Sequence, residues 1–285
     1  MSLAQAKVAL GRQEAGHEPV VPVLEDKEFR KFQKFIYEAA GISLSDAKKP
    51  LVSSRLIRRL RHYELNSFGE YFHLVMRADQ AEEFQCLVDL LTTNETYFFR
   101  EEKHFDLLRT QILPAREAYP YRIWSAASSN GSEPYSLAML LADELGTAPW
   151  EIVATDISQR MLETARKGLY PLEAAEKIAP EYLNKYCRKG VRSQQGMFLI
   201  DAALRNKIDF RYLNLNGAWP ELGYFDVIFL RNVMIYFDRD TKKELIARIV
   251  ARLNRGGYLI ISHTETLNGI DHGLKFMCPS VYYKN

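Results

Sequence analysis

The sequence predicts an α/β fold: a mostly parallel sheet with helices on both faces, preceded by a small all-helical domain. Two observations carry this. From Tyr121 onward, short apolar runs alternate with amphipathic helical stretches, the pattern of repeated βα units. Before Tyr121 no strand-like alternation occurs. A third observation bears on the ligand. Tyr121-Arg-Ile-Trp-Ser-Ala126 reads as a strand, the residues up to Glu133 as a small-residue loop opening a helix, and Ile152-Val-Ala-Thr-Asp156 as a second strand ending in an acid. A strand–loop–helix unit whose next strand ends in a carboxylate is how such a sheet holds a ribose-bearing cofactor.

The elements follow in order. Residues 1–21 carry scattered Gly, Gln, Glu and Lys without an apolar run and are expected to form a flexible tail, not a secretory signal. Asp26 to Ala40 has Phe29, Phe32, Phe35 and Ile36 at helical spacing, and Gly41 suits its end. Pro50 to Tyr63 follows, with Val52, Leu56, Leu60 and Tyr63 on one stripe, then helices over Ser67–Arg77 and Gln80–Leu91. These divide the chain into a helical domain over 22–79, a linking helix over 80–95 and a sheet domain over 96–285.

Strands are expected at 121–125, 152–156, 208–213, 225–230 and 257–262. Pro134 suits a helix starting at 133, and Thr241-x-x-Glu244 reads as a capping box opening a helix toward Leu253. Asn254-Arg-Gly-Gly257 should stop that helix and start the last parallel strand. Phe276 and Val281-Tyr-Tyr283 read as an antiparallel edge hairpin. One connection, about 170–207, is far longer than the usual ~2–6 residues. It contains a short helical piece near Tyr182 to Arg188 and a hairpin around Gly190–Gly196, so it reads as an inserted subdomain with a function of its own.

Composition narrows the function classes. The net charge of +2 excludes an obvious polyanion binder, and no apolar run reaches the length of a membrane span. The three cysteines are odd in number and far apart, which points to free thiols in a reducing cytoplasm. No Cys/His cluster has ligand spacing, so no metal is expected.

The loop after the first strand has a single glycine, Gly131, in place of the glycine series that lets a backbone approach a pyrophosphate. A cofactor without phosphates needs no such series, and S-adenosylmethionine is one. Ligands of open α/β sheets bind beyond the carboxyl ends of the strands. That places the 126–133 loop, Asp156, Asn214-Leu215 and Arg231-Asn232 at one rim. Asp156 is expected to bond ribose hydroxyls and Asn214 to read the adenine edge beside Leu215. The plainer reading, that each caps a turn, weakens when all of them fall at successive strand ends.

For the acceptor, an adenine methyltransferase would show Pro-Pro and an aromatic after the fourth strand, and no Pro-Pro occurs in this chain. Arg231 and Tyr236 there, with Arg100 in Thr92-Thr-Asn-Glu-Thr-Tyr-Phe-Phe-Arg100, suit an anionic acceptor, because a guanidinium fork matches a carboxylate. A surface ion pair of Arg100 with Glu101 or Glu102 is the competing reading. Lys48 to His62 holds six Lys/Arg and no acid, and Arg55, Arg58, Arg59 and His62 share one helical face. That face is either simply solvated or docks an acidic surface.

These pieces together resemble the bacterial chemotaxis receptor methyltransferases, the CheR family. The match lies in Thr92-Thr-Asn-Glu-Thr-x-Phe-Phe-Arg100, in Trp124-Ser-Ala-Ala-Ser-x-x-Gly-x-Glu-Pro-Tyr-Ser136 and in Arg231-Asn-Val-Met-Ile-Tyr-Phe-Asp238, and it covers roughly Asp26 to Tyr283. The resemblance implies a class I S-adenosylmethionine-dependent methyltransferase that esterifies glutamate side chains on the cytoplasmic domain of chemoreceptors. It implies cofactor contacts from Asn94, Thr96, Arg100, Glu133, Asp156, Asn214, Leu215, Arg231 and Asn232, with Arg100 and Tyr236 at the methyl-transfer site. It further implies that Arg55, Arg58, Arg59 and His62 face the receptor, and that the insertion is a small β-subdomain which in some members grips a receptor C-terminal pentapeptide by strand addition. An RNA or small-molecule methyltransferase and a non-catalytic receptor-binding adaptor remain the alternatives.

Overall fold

A computed structural model describes residues 22–115 and 120–285; the expected tail lies outside them. The helical domain begins with α1 (Asp26–Ala40), which buries Phe29, Phe32, Phe35 and Ile36 and ends on Gly41 in the left-handed region at φ 72°. A capping box between Glu25 and Glu28 opens it. Then come α2 (Lys49–His62), with Pro50 in its first turn, and α3 (Phe68–Val75), capped by the Ser67 side chain. The fourth helix, α4 (Ala81–Leu91), packs on α1, α2 and α3 and also reaches the sheet domain. The helix runs expected from the apolar stripes all form, within two residues at their ends.

Thr92 to Glu102 crosses between the domains, and α5 (Lys103–Leu107) continues as a π-helical turn. The parallel core is β1 (Tyr121–Ala126), α6 (Ser132–Leu145), β2 (Trp150–Asp156) and α7 (Gln159–Lys167). The insertion follows: β3 (Leu169–Pro171), α8 (Pro180–Tyr186), β4 (Cys187–Lys189), β5 (Met197–Ile200) and the single turn α9 (Ala202–Arg205). The chain then returns through β6 (Ile208–Tyr212), β7 (Phe225–Leu230), α10 (Arg239–Ala251) and β8 (Leu253–Ile261), and closes with β9 (Lys275–Cys278) and β10 (Val281–Tyr283).

The main sheet has the order β6-β2-β1-β7-β8-β10-β9. Its first five strands are parallel, and β10 turns antiparallel on β8. Order reverses between β1 and β7, which opens a crevice beyond their carboxyl ends. The insertion forms its own antiparallel sheet, β3-β5-β4, as the long connection suggested.

Two local expectations need correction. The helix after β7 does not open on Thr241: Asp238 is its N-cap, and its side chain accepts from Thr241 N–H at 2.9 Å. The Thr–Glu spacing was real, but the acid just upstream takes the role because a charged acceptor suits a helix N-terminus. Nor does Asn254-Arg-Gly-Gly257 stand outside the last parallel strand. The strand starts at Leu253, and the Gly256–Gly257 stretch lies within it, opposite an irregularity in β7.

Candidate functional site

The cleft at the carboxyl ends of the parallel strands has a volume of about 910 Å³, part of it continuous with solvent. Asn94, Thr96, Arg100, Glu133, Asp156, Asn214, Leu215, Arg231, Asn232 and Tyr236 all line it. Five separate segments therefore converge as expected. Sequence reasoning missed Ala40 and Ile42, which close the cleft from the helical domain, and Phe237 and Ile157. Nothing local marks the C-terminus of α1 as a wall of the site. The domains are tied there by Ser43 N–H to Tyr236 O at 2.8 Å, Tyr37 Oη to Asp238 at 2.6 Å and Gln85 Nε2 to Ile157 O at 2.9 Å.

The loop after β1 is built by strain and by one buried acid. Ala127 (φ 62°) and Ser129 (φ 50°) sit in the left-handed region without being glycine. So do Phe99, Glu101 and Asn232, making five of the eight such non-glycine residues among the described ones neighbours of the cleft. Strain of this kind persists only where surroundings over-determine it. Here Asp156 holds the loop: its Oδ2 accepts from Ser129 N–H at 2.7 Å and its Oδ1 from Ser158 N–H at 2.8 Å. Burial pushes its carboxyl up to about 6, with the backbone N–H bonds partly offsetting that cost. It is thus ionised near neutrality and keeps lone pairs for a ligand hydroxyl. Gly131 answers to packing: a Cβ there would lie 2.8 Å from Ala165 Cβ and 2.9 Å from Tyr170 Oη. It lets α7 and the subdomain approach the loop, where a dinucleotide fold would use its glycines for a pyrophosphate.

The Thr92–Arg100 segment is anchored by its two phenylalanines. Phe98 packs on Tyr170 and Phe198 of the subdomain, with ring centroids 5.0 and 5.8 Å away, and Phe99 stacks on Tyr182 at 5.5 Å. That leaves Asn94, Thr96 and Arg100 on the cleft side. Ser129 Oγ donates to Asn94 O at 3.1 Å and stitches this segment to the loop.

The two arginines differ in a way the sequence did not reveal. Arg231 is only 5% exposed. Its Nη1 lies 2.9 Å from Glu133 Oε2, and its Nη2 lies 3.2 Å from Glu101 Oε2 and donates to Arg100 O. The expectation that Arg231 greets an anionic acceptor is therefore corrected: its charge is spent inside the protein. Arg100 is half-buried, donates from Nη1 to Glu95 O at 2.8 Å and lies over the Tyr97 ring. Among the described residues, no ion pair ties it to Glu101 or Glu102, so the competing surface-pair reading does not hold.

Asn214 lines the cleft and also carries a structural tie. Its Nδ2 donates to Ala39 O at 2.6 Å and its Oδ1 accepts from Asn216 N–H at 2.9 Å. With those two bonds the amide fastens the helical domain to the strand end, and its second N–H and second lone pair are unused at the cleft wall beside the apolar Leu215 and Ile157.

Behind Arg231, Glu101 accepts from Ser262 Oγ at 2.7 Å and from His263 N–H at 3.2 Å. Burial would raise its carboxyl, but these bonds and Arg231 outweigh it and hold it at about 2. His104, buried beside it, has Nδ1 3.3 Å from Glu101 Oε2, and burial with the Arg231 and His263 charges pushes its imidazole down to about 3. Glu101, His104 and His263 bring ligand-type atoms within 4.8 Å of one another. The Glu101 oxygens are already taken by hydrogen bonds, and the Arg231 charge adjoins them, so the cluster reads as structural.

The basic face of α2 divides. Arg55 Nη1 donates to Leu90 O at 2.9 Å and Thr92 O at 2.8 Å, satisfying the C-terminal carbonyls of α4. Arg59 clamps Glu83, which is 4% exposed and also accepts from Tyr71 Oη at 2.6 Å and Tyr63 Oη at 3.0 Å. Both were expected to face a partner; both hold the helical domain together, because α4 packs against that side of α2. Arg58, Arg61 and His62 stay exposed.

A single-glycine loop, an acid at the end of the second parallel strand and a cleft of mixed polar and apolar lining beyond the strand ends are the features of a class I S-adenosylmethionine-dependent methyltransferase. Comparison with known proteins gives the family. The model described as CheR methyltransferase, SAM binding domain, matches residues 94–282, and that described as CheR methyltransferase, all-alpha domain, matches 27–92. The chain is 42% identical over 262 residues to the chemotaxis protein methyltransferase of Escherichia coli K12, covering 91% of each chain. It is 41% identical over 263 residues to chemotaxis protein methyltransferase 2 of Pseudomonas aeruginosa PAO1, covering 90% of this chain and 92% of the relative. The chain belongs to the CheR methyltransferase family. Among the described residues, no helix is long and apolar enough to cross a membrane.

Proposed function

We propose that the chain methylates glutamate side chains on the cytoplasmic domains of chemoreceptors, forming glutamyl methyl esters and S-adenosylhomocysteine. One observation carries the acceptor assignment: of two cleft arginines, Arg231 is buried with its Nη1 and Nη2 on Glu133 and Glu101, while Arg100 has no carboxylate partner among the described residues and lines the cleft with Tyr236. A carboxylate is ionised near pH 7 and needs no general base; of the three acids that line the cleft, Glu133 and Asp156 are engaged by Arg231 and by backbone N–H groups, and Glu95 is exposed.

S-adenosylmethionine fits the residues present, and when bound it supplies an electrophilic sulfonium methyl. Asp156 would accept from its ribose hydroxyls, while Ile157 and Leu215 would flank its base. Asn94, Thr96, Glu133 and Asn232 would surround its polar tail. Arg100 would draw the acceptor carboxylate in line through a charge-assisted fork, with Tyr236 fixing its second oxygen. With the cofactor bound, transfer of its methyl to the carboxylate oxygen would leave a neutral ester and a neutral thioether in place of a carboxylate anion and a sulfonium cation. Because opposite charges would be lost, the buried apolar walls given by Ala40, Ile42 and Phe237 would favour transfer over the solvated ground state.

The exposed Arg58, Arg61 and His62 would meet acidic receptor helices. An edge of the β3-β5-β4 sheet would take a receptor C-terminal pentapeptide as an added strand, giving association with receptor arrays from a monomeric enzyme. A transfer assay with tritiated S-adenosylmethionine tests the reading. Label should pass to a receptor cytoplasmic fragment and not to RNA. Transfer to RNA alone, or binding of receptor without transfer, would sink it.

A further inference from the structure

The turn after β7 carries Asn232 and Tyr236 into the cleft, yet it contains only one short 3-10 turn, Met234–Tyr236, to satisfy its own backbone. Its N–H groups converge instead on a carboxylate that does not line the cleft. Glu265 Oε2 accepts from Asn232 N–H at 3.0 Å and Ser262 N–H at 2.9 Å. Its Oε1 accepts from Met234 N–H at 2.8 Å and Ile235 N–H at 3.3 Å. The neighbouring Ser262 extends the network: its Oγ accepts from Asn232 Nδ2 at 2.7 Å and donates to Glu101 Oε1 at 2.7 Å. Asn232 itself sits at φ 57°, a conformation that needs outside support.

We propose that Glu265 is a positioning residue for methyl transfer, fixing the Asn232–Tyr236 turn from behind and, through Ser262, registering it against the Arg100–Glu101 segment. Four N–H donors on one carboxylate form a charge-assisted clamp that no neutral side chain of that size can replace. A glutamine keeps the shape but turns an NH₂ group toward N–H donors, so one side of the clamp becomes repulsive. The reacting carboxylate would then be held by an Arg100 whose partner residues have drifted. A misplacement on the order of 1 Å costs about 100-fold in rate.

The test uses the full chain, with the folded fraction counted from S-adenosylhomocysteine stoichiometry and rates taken well below the melting midpoint. Glu265→Gln should lower kcat per folded molecule by roughly tenfold or more, with a smaller change in KM for the receptor fragment. A role confined to stability would lower the midpoint and leave kcat per folded molecule at the wild-type value; that result overturns the proposal. Should Glu265→Gln not fold, Ser262→Ala removes only the hydroxyl between Asn232 and Glu101. It should lower kcat by roughly fivefold, the worth of one hydrogen bond, and an unchanged kcat there overturns the proposal equally. The proposal rests on the turn being part of the methyl-transfer site, and Tyr236→Phe with Asn232→Ala tests that separately. Wild-type rates from both would remove that reading itself. Impairment of these two with none in Glu265→Gln would remove only the positioning role.

Discussion

Arg231 Nη1 lies 2.9 Å from Glu133 Oε2, inside a protein region where the arginine side chain is 2% exposed and the glutamate 13%. The pair joins the end of β7 to the first turn of α6, and Glu101, at 3.2 Å from Nη2, adds the inter-domain segment. Three pieces of the site are thus locked before any ligand arrives. Removing the arginine would leave two poorly solvated carboxylates facing each other. Arg231→Ala should therefore cost roughly 3–5 kcal/mol of stability, read as a large fall in the thermal midpoint.

Arg100 should behave in the opposite way. Its one backbone bond, to Glu95 O, is peripheral to the core. Arg100→Ala should keep the wild-type midpoint and lower receptor methylation by roughly 100-fold. Near-wild-type turnover would take Arg100 out of the reacting centre.

Asp156 predicts a pH dependence of cofactor binding. Its carboxyl sits at about 6 in the folded protein, above the ordinary carboxylate value. The folded state therefore holds its proton more tightly between the ordinary range and pH 6. Stability from this group is present at low pH and is lost as pH rises through 6. Ribose binding runs the other way, because only the ionised form accepts hydroxyls with both oxygens. S-adenosylhomocysteine affinity measured by calorimetry should rise between pH 5 and 7, and Asp156→Asn should weaken binding and flatten that rise. An unchanged profile would remove Asp156 from the ribose site.

The α2 face separates structure from docking. Arg59→Ala strands Glu83, which is 4% exposed, and should lower stability by roughly 3–5 kcal/mol. Arg58→Glu and Arg61→Glu, at exposed positions, should leave the midpoint unchanged and raise KM for a receptor fragment, more so at low salt. Equal KM at low salt would show that another surface docks the receptor.

Much of this was legible in the chain because periodicity reports local packing. The Phe29–Phe32–Phe35–Ile36 stripe gave α1 to the residue, and the single glycine of the β1 loop gave the cofactor class. The site was legible as a set of strand ends, since topology brings such ends together whatever the details. What side chains do once assembled was not. Arg55 and Arg59 share a helical face with Arg58 and His62, and only the packing of α4 decides which of them are spent inside. Asn214 was legible as a strand-end residue, but its bond to the end of α1 was not. Glu265 gave no signal at all: a lone acid four residues past a strand means nothing until the turn after β7 folds over it. The strained Phe99, Ala127 and Ser129 are likewise invisible, because none is a residue type that marks a left-handed backbone.

The central claim is that the acceptor is a receptor glutamate carboxylate, and the most direct measurement is the chemistry of the product. A receptor cytoplasmic fragment labelled by this enzyme with tritiated S-adenosylmethionine would be treated with mild alkali, and its peptides mapped beforehand by mass spectrometry. The account predicts label released as volatile methanol and methyl groups located on glutamate side chains. Alkali-stable label on nitrogen, or an unlabelled receptor beside a labelled nucleic acid, would contradict it.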